Sequence, residues 1–224
     1  MNLVLLLIPV LCLLVCFLIR AEFRDLRHQI YILKPIATLL VISMAVASFW
    51  QPVYNIFYTQ VVLLGLFLSL GGDLVLMFPQ NRKAFSMGLG LFLMAHLAYA
   101  VLFFRIGTLS VWTILSLLLL TILGSGFFRL IQSKLGSMRL PVTGYIVIIS
   151  VMVVSATSVS MNSSLNLTPR IIILTGAVLF YISDLILAAN RFWEPWKYSR
   201  ISLAFYYSGQ MLIALAASYL TVSI

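Results

Sequence analysis

Apolar residues fill this chain in long runs, separated by short clusters of charge. Runs of roughly 18 to 23 residues recur from end to end, each long enough as a helix to cross a hydrocarbon core about 30 Å thick. The pattern predicts an all-α polytopic membrane bundle of eight transmembrane helices, at about 2–19, 33–50, 55–78, 84–104, 109–128, 140–160, 170–190 and 200–222. No linker or low-complexity segment divides it, so residues 1–224 read as a single transmembrane domain. The first run lacks a basic leading region and meets Arg20 directly, as in a retained span rather than a cleaved signal peptide.

Composition excludes a water-soluble domain: 63% of the 224 residues are hydrophobic and 8% are charged. A net charge of +9 could signal a nucleic-acid partner, but the positions of the basic residues decide against one. Twelve of fourteen lie in or beside alternate connections: Arg20, Arg24, Arg27 and Lys34; Arg82 and Lys83; Arg129, Lys134 and Arg139; Arg191, Lys197 and Arg200. Only Arg105 and Arg170 fall at the opposite ends. That alternation is what cytoplasmic basic loops with both termini outside would produce, and short loops without extensions point to a bacterial inner membrane. Cys12 and Cys16, one turn apart in the first span, read as small apolar fillers.

Two internal echoes point to a pair of four-helix halves in the same orientation. GDLVLMF from Gly72 matches SDLILAA from Ser183, and Lys34-Pro35 opening span 2 matches Leu140-Pro141 opening span 6. Both prolines are expected in the first turn of their helices, where no backbone donor is lost.

Of five carboxylates, Glu22, Asp25 and Glu194 lie in loops among arginines and read as charge balance, whereas Asp73 and Asp184 lie inside spans. An aspartate at membrane depth costs about 2.5–3.5 kcal/mol on insertion scales, so a functional role is the leading expectation over a structural strut. Each sits six or seven residues before the basic end of its span, so both should lie about 9 to 10 Å below one surface and converge on one pocket. Two adjacent buried carboxyls would divide into a protonated acid and an anion, a pairing suited to acid/base chemistry. Tyr206, Tyr207 and Gln210 in span 8 reach a similar level, Tyr181 lies three residues before Asp184 on the same face, and Thr38 and Lys34 mark the end of span 2. His96 is deeper, in span 4, and needs a hydrogen-bond partner there.

The chain has no nucleophile elbow, zinc-helix or phosphate-loop motif, and its two histidines argue against a metal site; no cofactor is expected. The segments Lys34-Pro35, GDLVLMF, MAHLAYAVLF from Met94, GAVLFYISDLILAANRF from Gly176 and FYYSGQMLIA from Phe205 together resemble the lysoplasmalogenase, or YhhN-like, family of integral membrane hydrolases. The resemblance implies hydrolysis of a lysoplasmalogen vinyl ether to a fatty aldehyde and a glycerophospho-base, with Asp73 and Asp184 as the family's two intramembrane aspartates and a lysophospholipid drawn from the membrane as substrate. On that reading Lys34 and Arg191 would take the phosphate, Tyr207 and Gln210 would bond substrate, water or the carboxyls, and Asn190 with Arg191 would mark the rim above Asp184. Two rivals are weighed beside it. A proton-coupled transporter or lipid carrier would use the same carboxyl pair and repeat. An intramembrane aspartyl protease fits poorly, since Leu70 replaces the first glycine of its G-x-G-D motif.

Overall fold

The computed structural model describes residues 3–51, 54–77 and 82–220. Eight α-helices follow one another there: α1 Leu3–Phe23, α2 Arg27–Val46, α3 Ile56–Leu76, α4 Arg82–Ile106, α5 Val111–Ile131, α6 Arg139–Ser160, α7 Leu167–Phe192 and α8 Ser202–Ala216. No strand occurs among the described residues. Helices α1 to α7 are each long and apolar enough to cross a membrane. At 15 residues, α8 is about 22 Å long. A 3₁₀ turn, Ser199–Ile201, precedes it, and bonds from Ala217, Ser218 and Tyr219 back to Ala214, Leu215 and Ala216 tighten its exit. Residue 2 of the expected first span, Phe78 of the third and residues 221–222 of the eighth lie outside the described residues.

Local chemistry accounts for several helix ends. The Asn55 side chain accepts from the Tyr58 N–H at 2.8 Å and opens α3. Ser110 and Thr113 bond each other's backbone N–H reciprocally and open α5. Helix α2 begins at Arg27, six residues before the expected position, so Pro35 is interior to it rather than in its first turn. The reason is that the charged stretch Arg27-His28-Gln29 continues the same helix out of the apolar zone. Pro141 is the third residue of α6, within the first turn as expected. The two proline positions are therefore not structural equivalents, and that echo is coincidental.

The aspartate echo is matched in the packing. The pairs α1/α2, α2/α3 and α3/α4 recur as α5/α6, α6/α7 and α7/α8, and the cross-pair α2/α8 recurs as α6/α4. Gly65 and Gly176, like Asp73 and Asp184, are 111 positions apart and occupy matching places on α3 and α7. At the α7/α8 crossing, backbone meets backbone: a Cβ on Gly176 would stand 3.0 Å from the Gly209 carbonyl oxygen, and one on Gly209 2.8 Å from that of Gly176. Glycine at both positions permits this close approach. Helix α5 packs on α6 at the periphery and leaves Ile114, Leu118 and Ile122 exposed to the surrounding apolar phase.

Candidate functional site

Asp73 sits in the last turn of α3, where Gly72 lets the Phe92 ring of α4 press on the backbone; a Cβ there would lie 2.6 Å from that ring. The carboxyl is 2% exposed and fully partnered. Lys34 Nζ of α2 is 3.2 Å from Oδ1, and Thr38 Oγ1 and Tyr206 OH each donate to Oδ2 at 2.8 Å. Behind these, Gln210 Nε2 donates to Tyr206 OH at 2.9 Å, and Tyr207 OH donates to the Lys34 carbonyl at 3.1 Å. An ammonium and two hydroxyls thus compensate one buried carboxylate, as such a charge requires.

Asp184 has a different set of neighbours. Tyr145 OH of α6 donates to Oδ2 at 2.5 Å, and His96 Nε2 of α4 lies 3.6 Å from the same oxygen. His96 is fully buried, with Nδ1 2.6 Å from the Phe92 carbonyl oxygen and its ring edge-on to Phe180 at 4.5 Å and Tyr145 at 5.4 Å. Phe180 also packs edge-on against Tyr206 at 5.2 Å, so one aromatic ring separates the two carboxyl clusters. Each aspartate is braced by the second helix of its own half (α2 or α6) and the fourth helix of the other half (α8 or α4).

Both carboxyls open into one cavity of about 410 Å³. Its apolar lining includes Phe92 of α4, Phe127 of α5 and Val142, Ile146 and Ile149 of α6. Its mouth lies at the basic end and carries both signs of charge: Glu22, Asp25, Arg27, Arg191 and Arg200. Arg200 Nε pairs with Glu22 at 3.2 Å, and the Arg191 guanidinium lies over the Phe85 ring at 4.9 Å.

The expected six or seven residues between each aspartate and its helix end need correction. Helix α3 ends three residues after Asp73, whereas α7 continues eight residues past Asp184. Both carboxyls nevertheless line one cavity, because the helix ends are staggered around it. Of the expected site residues, Lys34, Tyr181, Asn190 and Arg191 line the cavity with the two aspartates. Lys34, expected as a phosphate anchor, is engaged by Asp73. Asn190 Oδ1 accepts from the Trp196 N–H and holds the turn after α7. His96, Tyr207 and Gln210 are buried and are not among the residues that line the cavity. Tyr145 was missed by sequence reasoning, and Tyr206, noted only by its depth, proves to be the tyrosine that touches Asp73. Glu22 and Asp25, read as charge balance, stand at the mouth. Cys12 and Cys16 are free and exposed on α1. Among the described residues, no three His, Cys, Asp or Glu side chains converge as metal ligands.

These features define an integral membrane helical bundle with a buried carboxyl pair on an internal cavity. The chain belongs to the YhhN family, whose sequence profile matches residues 29–217. It is 29% identical over 204 residues to the membrane protein YhhN of Escherichia coli O6:H1, covering 90% of this chain and 93% of that one, and equally to its counterpart in Shigella flexneri. It is 31% identical over 158 residues to the lysoplasmalogenase TMEM86A of Bos taurus, covering 70% of this chain and 64% of that one. No solved structure matches.

Proposed function

We propose that this protein hydrolyses the vinyl-ether bond of a lysoplasmalogen, releasing a fatty aldehyde and a glycerophospho-base. The observation that carries the reading is that Asp73 and Asp184 share one cavity lined by apolar side chains and by charged ones at the basic end. Similarity to the bovine lysoplasmalogenase supports the substrate class. A single-chain amphiphile fits this division, with its chain against Phe127, Ile146 and Ile149 and its headgroup among Arg27, Arg191, Arg200 and Glu22. The mixed charge at the mouth suits a phosphate joined to an amine.

The chemistry needs a proton for the vinyl β-carbon, an anion near the oxocarbenium ion that results, and water to capture it. Two carboxyls in different protonation states supply the first two and orient the third. The hemiacetal then collapses to aldehyde and alcohol, with no net change in protons. On this reading the mouth faces the cytoplasm of a bacterial inner membrane, since the basic loops surround it.

Detergent-solubilised protein should release aldehyde from a lysoplasmalogen and none from its saturated alkyl-ether analogue. Asp73→Asn and Asp184→Asn should each lower that rate by at least about 10²-fold, with the proteins still folded by thermal melting. Near-normal turnover in either variant would remove the dyad. The repeated packing of the two halves favours a second reading, a transporter that rocks one half against the other. Solute movement into sealed vesicles without chemical change would establish that reading instead.

A further inference from the structure

We infer that Asp184 is the proton donor, held in its acid form by His96 and Tyr145, while Asp73 is the fixed anion; the assignment of a donor rests on the vinyl-ether reading above. The two carboxyls occupy equivalent places in the repeat, so the difference between their neighbours carries the information. On the α2 side Asp73 meets an ammonium, Lys34, and its second oxygen accepts from two hydroxyls. Three donors, one of them a cation, surround it and both oxygens accept, which is the environment of a carboxylate rather than of an acid. On the α6 side the place of the ammonium is taken by a neutral phenol, Tyr145.

His96 fixes the remaining proton. The Phe92 carbonyl can only accept, so the ring nitrogen 2.6 Å from it, Nδ1, carries a hydrogen. In the neutral ring, Nε2 then presents a lone pair. That nitrogen is fully buried, makes no hydrogen bond, and lies 3.6 Å from Asp184 Oδ2. A lone pair set against a carboxylate would be repulsive, and one proton resident on the His96–Asp184 pair removes the conflict. Within that pair only Asp184 reaches the cavity, and its Oδ1 makes no hydrogen bond among the described residues. Asp184 is therefore the member that can hand a proton to substrate, once rotation of its carboxyl about χ2 turns the protonated oxygen from His96 toward the cavity, and His96 is a positioning residue. In the reaction, the Asp184 O–H bond breaks as a C–H bond forms at the vinyl β-carbon from the π pair. The α-carbon becomes the oxocarbenium centre facing Asp73, and water adds to it. The proton that water sheds returns to Asp184, restoring the acid.

Infrared difference spectroscopy in a carbonyl-free detergent tests this without substrate. At neutral pH the wild type should show the C=O stretch of a protonated carboxylic acid, shifted in D₂O. The band should vanish in Asp184→Asn and persist in Asp73→Asn/Lys34→Met, which removes the ion pair as a unit. His96→Gln and Tyr145→Phe should shift its frequency, and His96→Gln should lower turnover roughly tenfold or more with unchanged Kd for the saturated ether analogue. A histidine that served packing alone would leave the band where it is. Absence of the band in the wild type, or its loss with Asp73 and retention in Asp184→Asn, overturns the assignment. If aldehyde is released but the acid band belongs to Asp73, the assignment falls and the proposed function stands. If the band belongs to Asp184 and no aldehyde forms from any vinyl ether, the function falls, and the role as donor falls with it.

Discussion

Lys34 Nζ lies 3.2 Å from Asp73 Oδ1 with its side chain only 12% exposed, so its charge is used inside the protein. Lys34→Met should leave Asp73 buried without its cation and destabilise the fold by about 3–5 kcal/mol, seen as a lower Tm. A phosphate anchor and an internal counter-ion also differ in kinetics. With an internal counter-ion, Lys34→Met slows a phosphate-free alkenyl glycerol as much as a lysoplasmalogen, and an anchor would spare the former. Arg191, at the mouth, should behave the opposite way: Arg191→Ala should raise KM for the phosphate-bearing substrate and leave the phosphate-free one unchanged. Hydropathy made Asp73 and Asp184 legible, because a carboxyl in an apolar run is conspicuous whatever it contacts. It could not choose between Tyr206 and Tyr207, adjacent on α8 and about 100° apart around the helix. Lipid is as apolar as the bundle core, so periodicity does not show which face turns inward. Tyr145 escaped notice for the same reason, since a tyrosine near a helix end reads as an interface anchor.

At the scale of the helix, long apolar runs revealed where the spans lie, and their ends were less readable. Helix α2 gained a charged first turn and a half, and α8 came out shorter than its apolar run, because hydropathy marks where lipid is tolerated and not where backbone hydrogen bonds begin. The crossing of α7 on α8 was legible only as a scatter of glycines. In the structure, Gly176 and Gly209 each face the backbone of the other's helix at 3.0 Å or less. A Cβ at Gly209 would meet the Gly176 carbonyl oxygen at 2.8 Å and the Phe180 nitrogen at 2.9 Å, neither of which can rotate aside. Gly209→Ala should push α8 off α7 and lower stability by about 1–3 kcal/mol. Because Tyr206 and Gln210 ride on α8 beside this contact, aldehyde release should fall as well. Gly90 has nothing within 4 Å of its Cβ direction, and Gly90→Ala should melt like the wild type. Thermal melts of the pair in one detergent compare the two directly.

Across the whole molecule, the repeat is a crosswise arrangement rather than two independent units. Helices α1–α4 hold Asp73 with Lys34 and Thr38 but lack Tyr206, which comes from α8. Helices α5–α8 hold Asp184 with Tyr145 but lack His96, which comes from α4. Each half also supplies part of the cavity: Leu89 and Phe92 come from one, Phe127 and Ile149 from the other. Neither half can complete its own carboxyl environment, and leaving a buried polar group without its partner is costly. The halves meet through α2/α8 and α4/α6, contacts that do not depend on chain continuity at the short exposed connection between α4 and α5. Cutting the gene there, so that residues 1–108 and 109–224 are made as separate chains, should therefore give two fragments that copurify when co-expressed and release aldehyde together. Expressed alone, each fragment should be inactive. Mixing a fragment that carries Asp184→Asn with a wild-type first half should abolish activity, as should the reciprocal mixture with Asp73→Asn, because one cavity needs one carboxyl from each half. Activity from either fragment by itself would mean that a second copy of the same half can stand in for the missing one, and the crosswise bracing would not be what the site requires.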